Sequence, residues 1–360
     1  MSQSLVAQCN KEVADEALLE APSGLAEGGT DRSLDQMLQQ LLVVGTAGER
    51  AGAASEARAT SGPKGVRARH ARETLDILAA GGYNPMAGSG WVDLQPAVLQ
   101  AVEASTFYPE ANFHCQSTTS CSSSWLQAGP PSIQVACTTS LAAAAEIAAG
   151  GRTPGVLNFA SARNPGGGFT TGAEAQEESL ARSSALYPCL SKHFTSFFVP
   201  RRQEASGAYT HDTIFSPQVP VIRDSHGALL EQPFLVDFVT SAAPNVGSMQ
   251  KVHGDKAEAV ASTALQERAG RVLEVFARHS VTHLVLGAWG CGVFRNNPVV
   301  VAKIFKEHLH GRFKGCFQHV TFAVLDPKMA HVFADTFNTR LLGDQNATDK
   351  PSKGNQRSRR

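Results

Sequence analysis

The chain has 360 residues, 42% of them hydrophobic and 18% charged, with 32 basic and 32 acidic side chains. That length holds one large domain or two ordinary ones, and the balanced charge excludes bulk electrostatic capture by nucleic acid or membrane. No apolar run approaches the roughly 20 residues of a membrane span, and the acidic start MSQSLVAQCNKEVADEALLE is neither a signal peptide nor an Arg-rich presequence. A soluble cytoplasmic or nuclear protein is expected. The cysteines, Cys9, Cys115, Cys121, Cys137, Cys189, Cys291 and Cys316, are scattered and show no C-x-x-C pairing. That spacing argues against a disulfide framework or zinc ribbon and for reduced thiols.

Residues 1–65 differ from the rest: SLDQMLQQLLVV can form one amphipathic helix, but it runs into GTAGERAGAASEARATSGPKG. This region reads as a poorly ordered or partly helical extension. From Val66, ARHARETLDILAAGGY has apolar residues at helical spacing and closes on Gly81-Gly82. PAVLQAVEAS is a second helix, SIQVACTT a strand, SLAAAAEIAAGG a helix with a glycine stop, and GVLNFA a buried strand. AQEESLARSSALYPCL then reads as one helix, PFLVDFVTSAA as a strand and KAEAVASTALQERAGRVLEVFARHS as a long helix. HLVLGA (strand), NPVVVAKIFKEHLHG (helix) and HVTFAVLD (strand) follow, and residues 342–360 form a polar tail with a basic end.

Short β-branched runs alternating with amphipathic helices predict an α/β fold, a layered sheet with helices on both faces. In such sheets ligands bind outside the carboxyl ends of strands, in the loops leading to helices. Two of these loops are rich in glycine: ASARNPGGGFTTG after GVLNFA, and GAWGCGVFRNNP after HLVLGA. In the second, Asn296 or Asn297 can cap a helix and Pro298 can take its first position. Backbone N–H groups and a helix N-terminus then converge, an arrangement that suits a phosphate or diphosphate. The glycine order G-x-x-G-x-G with no following P-loop lysine disfavours a dinucleotide or Walker-type site.

Gln176, Glu177 and Glu178 follow the first loop at the predicted start of a helix. Carboxylates there are favoured by the helix dipole alone, so a merely stabilising first turn is one reading. The adjoining glycine loop and Asn164 give the other, a ligand-facing rim. No His or Asp stands at metal-ligand spacing from the pair, and His193 and His211 are isolated. Neither metal nor cofactor is expected.

The segment FASARNPGGGFTTGAEAQEESLARSSALYPCL, with GAWGCGVF, SPQVPVIRDSHGALL, TSAAPN and VTFAVLD further on, resembles the poly(ADP-ribose) glycohydrolases, in their compact bacterial-type branch. The resemblance implies a macrodomain-like mixed sheet sandwiched between helices, a catalytic domain over residues 66–341, and a helical accessory segment ahead of it. It also implies that poly(ADP-ribose) and ADP-ribosylated proteins are the substrates. The ribose–ribose O-glycosidic bond would be cut mainly from chain ends by a monomer, without sequence-specific nucleic-acid binding. By position, Glu178 is similar to the catalytic acid, Glu177 to the neighbour that bonds ribose hydroxyls, and Gln176 to the residue supporting the loop. Asn164 matches a ribose-contacting asparagine, and Gly166, Gly167 and Gly168 line the bend around the terminal ribose. Gly290, Cys291, Gly292 and Val293 match the diphosphate loop, and Phe294 the aromatic packing on the terminal ribose.

Cleaving a glycosidic bond requires a proton for the departing oxygen, and a carboxyl beside a second carboxylate should have a raised pKa. That expectation is placed on Glu178. A non-catalytic ADP-ribose reader and a hydrolase of another ADP-ribose linkage are the alternatives; the adjacent glutamates distinguish the enzyme from the reader.

Overall fold

The computed structural model describes residues 62–86, 90–112, 129–202 and 204–343. The expected N-terminal extension up to residue 61, its amphipathic helix, and the basic tail beyond 343 lie outside these residues.

Helix α1 (Pro63–Ala80) starts on a proline and buries Ala71, Thr74, Leu75 and Leu78 at helical spacing before closing at Gly81. A short antiparallel pair follows, β1 (Gly82–Tyr83) with β2 (Val92–Asp93), then α2 (Gln95–Ala104) and β3 (Thr106–Tyr108). Strand β4 (Ser132–Ala136) leads to α3 (Ser140–Ala149), whose cap Thr139 accepts the Ala142 N–H at 3.0 Å. Strand β5 (Pro154–Phe159) leads to α4 (Gln176–Ser183), α5 (Leu186–Ser191), a π-helical turn (Phe194–Phe198) and α6 (Val199–Arg202). The hairpin β6 (Thr213–Arg223) and β7 (Leu229–Ser241) precedes α7 (Val246–His253) and α8 (Ala257–Arg278). The chain closes with β8 (His283–Leu286), α9 (Pro298–His310), β9 (His319–Ala323), α10 (Pro327–Phe337) and β10 (Leu341–Leu342).

Eight strands form one mixed sheet in the order β10-β4-β9-β8-β5-β7-β6-β3. The run from β10 to β7 is parallel, and β6 pairs antiparallel with both β7 and β3. Side chains alternate across the sheet: Val156, Phe238 and Val285 join a core under α1 to α5, whereas Leu157, Val239 and Leu284 join a core under α8 to α10. Burial of both faces explains why these strands read as unbroken apolar runs.

Three sequence readings change. The single helix expected over Ala175–Leu190 is two, α4 and α5. Pro188 lacks an N–H and its ring would meet the Ser184 carbonyl one turn back. Ser184 is therefore extended (φ −148°, ψ 172°) and bridges Val221, and the Ala185 N–H donates to Pro220 O at 2.9 Å. Strand β6 was not visible in the sequence because Pro217 and Pro220 interrupt it. The sheet accommodates them with a register shift between Ser216 and Val219, where Gln218 takes φ 52°. Finally, Cys316 is disulfide-bonded, against the expectation of reduced thiols throughout; Cys137, Cys189 and Cys291 are free.

Candidate active site

Strands β5 and β8 are parallel neighbours, paired from Pro154↔His283 to Val156↔Val285. Both glycine loops consequently emerge at one end of the sheet, side by side, although more than a hundred residues separate them in the chain.

In the first loop the Gly167 N–H donates to Asn164 O at 3.0 Å, and Gly167 has φ 60°. A side chain there would be strained, and its Cβ would overlap the Glu178 carboxylate and sit 3.2 Å from Glu177 Oε2. The next residue, Gly168, donates its N–H to Glu178 Oε1 at 3.0 Å. Glycine is thus required where backbone meets the paired carboxyls. Asn164 is exposed, and its Oδ1 accepts from Arg202 Nη2 at 2.9 Å.

Glu177 and Glu178 diverge by about 100° around α4, and their surroundings differ accordingly. Glu177 points at the sheet and is 2% exposed. Its Oε2 accepts the Ser161 N–H at 2.6 Å and its Oε1 accepts from Asn158 Nδ2 at 3.3 Å. Burial pushes its pKa up to about 8; the Glu178 charge adds to this, while the Ser161, Asn158 and Gly166 donors oppose it. Burial, more than the neighbouring charge, is what raises it. Gln176 completes the turn. Its Oε1 accepts the Phe159 N–H at 2.8 Å, and its Nε2 donates to Leu157 O at 2.7 Å and Ser140 Oγ at 3.1 Å. It mimics a strand where β8 has diverged from β5, fastening the start of α4 to the sheet.

In the second loop, Trp289 is fully buried and donates from Nε1 to Ser241 O at 3.2 Å. Gly290 has φ 70°, and a Cβ on it would lie 2.5 Å from both Ala243 Cβ and Asn296 Nδ2. Cys291 turns inward, where burial pushes its thiol up to about 12, so it offers the site backbone only. Gly292 stands in open space and Val293 is 83% exposed. The N–H groups of Gly292, Val293 and Phe294 have no acceptor among the described residues. Consecutive free donors of this kind form an anion-binding concavity. Phe294 packs against Tyr209 with ring centroids 6.3 Å apart. Of the asparagines, Asn297 caps α9 through the Val299 N–H at 2.9 Å, and Asn296 is buried, donating to Pro244 O and Gly290 O.

Sequence reasoning missed Asn158, Ser161, Arg202 and Tyr209, which hold the named residues in place. Only Asn158 left a signal, as a polar residue inside the otherwise apolar strand GVLNFA, where burial demands a partner.

The family model described as the microbial-type PARG catalytic domain matches residues 71–224. The chain is 38% identical to the poly(ADP-ribose) glycohydrolase of Thermomonospora curvata, covering 76% of this chain and 99% of that one, with a TM-score of 0.68. The same enzyme bound to the inhibitor ADP-HPD aligns over 75% of this chain and 98% of its own, at 38% identity and a TM-score of 0.67. The Deinococcus radiodurans glycohydrolase, in complex with ADP-ribose, is 40% identical over 67% of this chain and 97% of its own, with a TM-score of 0.62. No curated protein matches in sequence. With its two glycine loops on neighbouring strands and its carboxyl pair beneath them, the chain belongs to the microbial-type poly(ADP-ribose) glycohydrolase family.

Proposed function

We propose that this protein hydrolyses the ribose–ribose O-glycosidic bond of poly(ADP-ribose), mainly from chain ends, with Glu178 as general acid and then base. The observation that carries the reading is the placement of Glu178 against Gly168 N–H at 3.0 Å, beside the buried Glu177 and next to a loop whose Gly292–Phe294 donors are free.

A terminal ADP-ribose places its diphosphate on those free N–H groups, with Phe294 and Tyr209 packing the ribose. Glu178 gives its proton to the departing 2′-oxygen as the C1″–O bond breaks, leaving an oxocarbenium-like sugar. Water adds to C1″ and its proton returns to Glu178, so each turnover consumes one water and frees one hydroxyl on each fragment. Burial raises the Glu177 pKa and so favours its neutral form; in that form it bonds ribose hydroxyls without adding a second negative charge next to the acid. The two glutamates adjoin on one turn and do not flank opposite faces of a sugar, so carboxyl separation does not decide between retention and inversion. On this reading the catalytic domain is residues 66–341 and acts as a monomer.

Incubating wild type and Glu178→Gln with poly(ADP-ribose) and measuring released ADP-ribose tests the assignment. Release should fall by about 10²–10⁴-fold or more, with ADP-ribose binding retained in calorimetry. Near-full activity of Glu178→Gln removes Glu178 from the acid role. A wild type that binds ADP-ribose and releases none from polymer is a reader.

A further inference from the structure

Residues 204–212 form a strap from α6 to β6 and carry Tyr209, whose ring lies against Phe294. Tyr209 takes φ 57°, a left-handed backbone that a bulky side chain adopts only where its surroundings impose it. The strap holds it from both sides. Its N–H donates to Glu204 Oε1 at 2.8 Å, and its carbonyl accepts from Arg268 Nη2 at 3.2 Å. The same Nη2 donates to Ala208 O at 2.8 Å, Nε donates to His211 Nδ1 at 3.4 Å, and Nη1 donates to Ala242 O just past β7.

Arg268 stands on α8 and is fully buried, and no ion pair engages it among the described residues. Burial and the Arg201 charge lower its pKa to about 10, with Glu204 and Glu110 opposing, so it remains a cation at neutral pH. A buried guanidinium is ordinarily paired with an anion; this one spends its fork of donors on the strap and the sheet end instead. The strap also meets both glycine loops. Glu204 O accepts from Arg163 Nη2 at 3.0 Å, and Gly207 O accepts the N–H of Asn245, whose neighbour Val246 donates to Phe294 O at 2.9 Å.

We propose that Arg268 and Glu204 are positioning residues that clamp Tyr209 by its carbonyl and its N–H, fixing its ring beside Phe294 as a wall for the ribose of ADP-ribose. Both act through Tyr209 and neither meets the reacting bond. This rests on the proposed function, which packs the ribose on Phe294 and Tyr209. Such a wall binds ground state and transition state alike, so its loss weakens binding and spares the chemical step.

The experiment measures ADP-ribose Kd by calorimetry, and kcat and KM on poly(ADP-ribose). It compares wild type, Arg268→Lys, Glu204→Ala, Tyr209→Ala and the two double variants that include Tyr209→Ala. Lysine keeps the charge but cannot reach Ala242 O and Tyr209 O together. Each single change should raise Kd and KM by roughly three- to tenfold, the size of one aromatic contact, with kcat within about threefold. In the double variants the second change should add less than about twofold, because both residues act on one side chain. Full additivity with Tyr209→Ala overturns the proposal, and so does a fall in kcat as large as the rise in KM, since the clamp then only supports the fold. If Arg268→Lys does not fold, Glu204→Ala with Tyr209→Ala decides the clamp. If wild type binds ADP-ribose but releases none from polymer, the proposed reaction fails, and the Kd comparison still decides. A wild type that does not bind ADP-ribose overturns both.

Discussion

Gly168 N–H and Glu178 Oε1 are joined at 3.0 Å across a ten-residue loop, so the glycine turn itself aims the carboxyl assigned as the acid. The bend and the Glu178 carboxyl are one device. Moving the turn moves the carboxyl.

Gly167→Ala therefore reports on geometry rather than chemistry. The added Cβ would overlap the Glu178 carboxylate and come within 2.9 Å of its Cδ, on a backbone at φ 60°. The strain should cost about 1–2 kcal/mol in denaturant unfolding. Activity should fall by roughly 100-fold or more, because reacting groups tolerate about 1 Å of misplacement poorly. A Gly167→Ala enzyme of wild-type kcat would show that Glu178 is not positioned by this turn.

Glu177→Gln should change how stability depends on pH. Its pKa is raised from an ordinary 4.5 to about 8 in the folded protein. The folded state then binds the proton more tightly than the unfolded chain does. Its contribution is fully present below pH 4.5 and is lost as pH rises through about 8. The neutral amide cannot ionise, so the variant's stability should decline less across that window, the difference from wild type reaching on the order of a few kcal/mol. Parallel unfolding curves for the two proteins from pH 5 to 8 would refute the assignment.

Gln176 holds Phe159 N–H, Leu157 O and Ser140 Oγ with one amide. Gln176→Glu keeps the acceptor for Phe159 but loses the donors, leaving Leu157 O facing a carboxylate. We expect a stability loss of about 2–4 kcal/mol and a drop in kcat, since the start of α4 carries both glutamates. Chemical denaturation with single-turnover kinetics separates the two effects. An unchanged midpoint means that the amide is not a strand mimic.

Gly290→Ala places a Cβ 2.5 Å from Ala243 Cβ and Asn296 Nδ2 at a left-handed φ of 70°. The neighbouring donors should lose their common direction, weakening ADP-ribose binding by roughly tenfold or more, as expected when a charge-assisted hydrogen bond is broken. Val293→Ala, at an 83% exposed position, should leave binding within about twofold, because its contribution is backbone. Calorimetry with ADP-ribose on both variants checks the contrast. Equal losses in the two would indicate side-chain recognition at Val293.

What the sequence by itself determined about this protein is local. Helix periodicity, the glycine stop after α1, the cap and proline at Asn297-Pro298, and the apolar runs of β5, β7, β8 and β9 are set within a few residues, so a short window reads them. The long QEE-containing match carried the family for the same reason: the acids, the glycines and Asn164 are contiguous. Tertiary structure decided what depends on partners distant in the chain. It made β8 the neighbour of β5, split α4 from α5 by pairing Ser184 with Val221, and hid β6 behind its prolines. It also chose between two adjacent glutamates. Glu177 meets Asn158 and Ser161 under the loop and is buried, whereas Glu178 meets Gly168 at the rim. A pKa follows from desolvation and neighbouring charge, both long-range properties, so two identical letters side by side could not reveal which one the fold would bury.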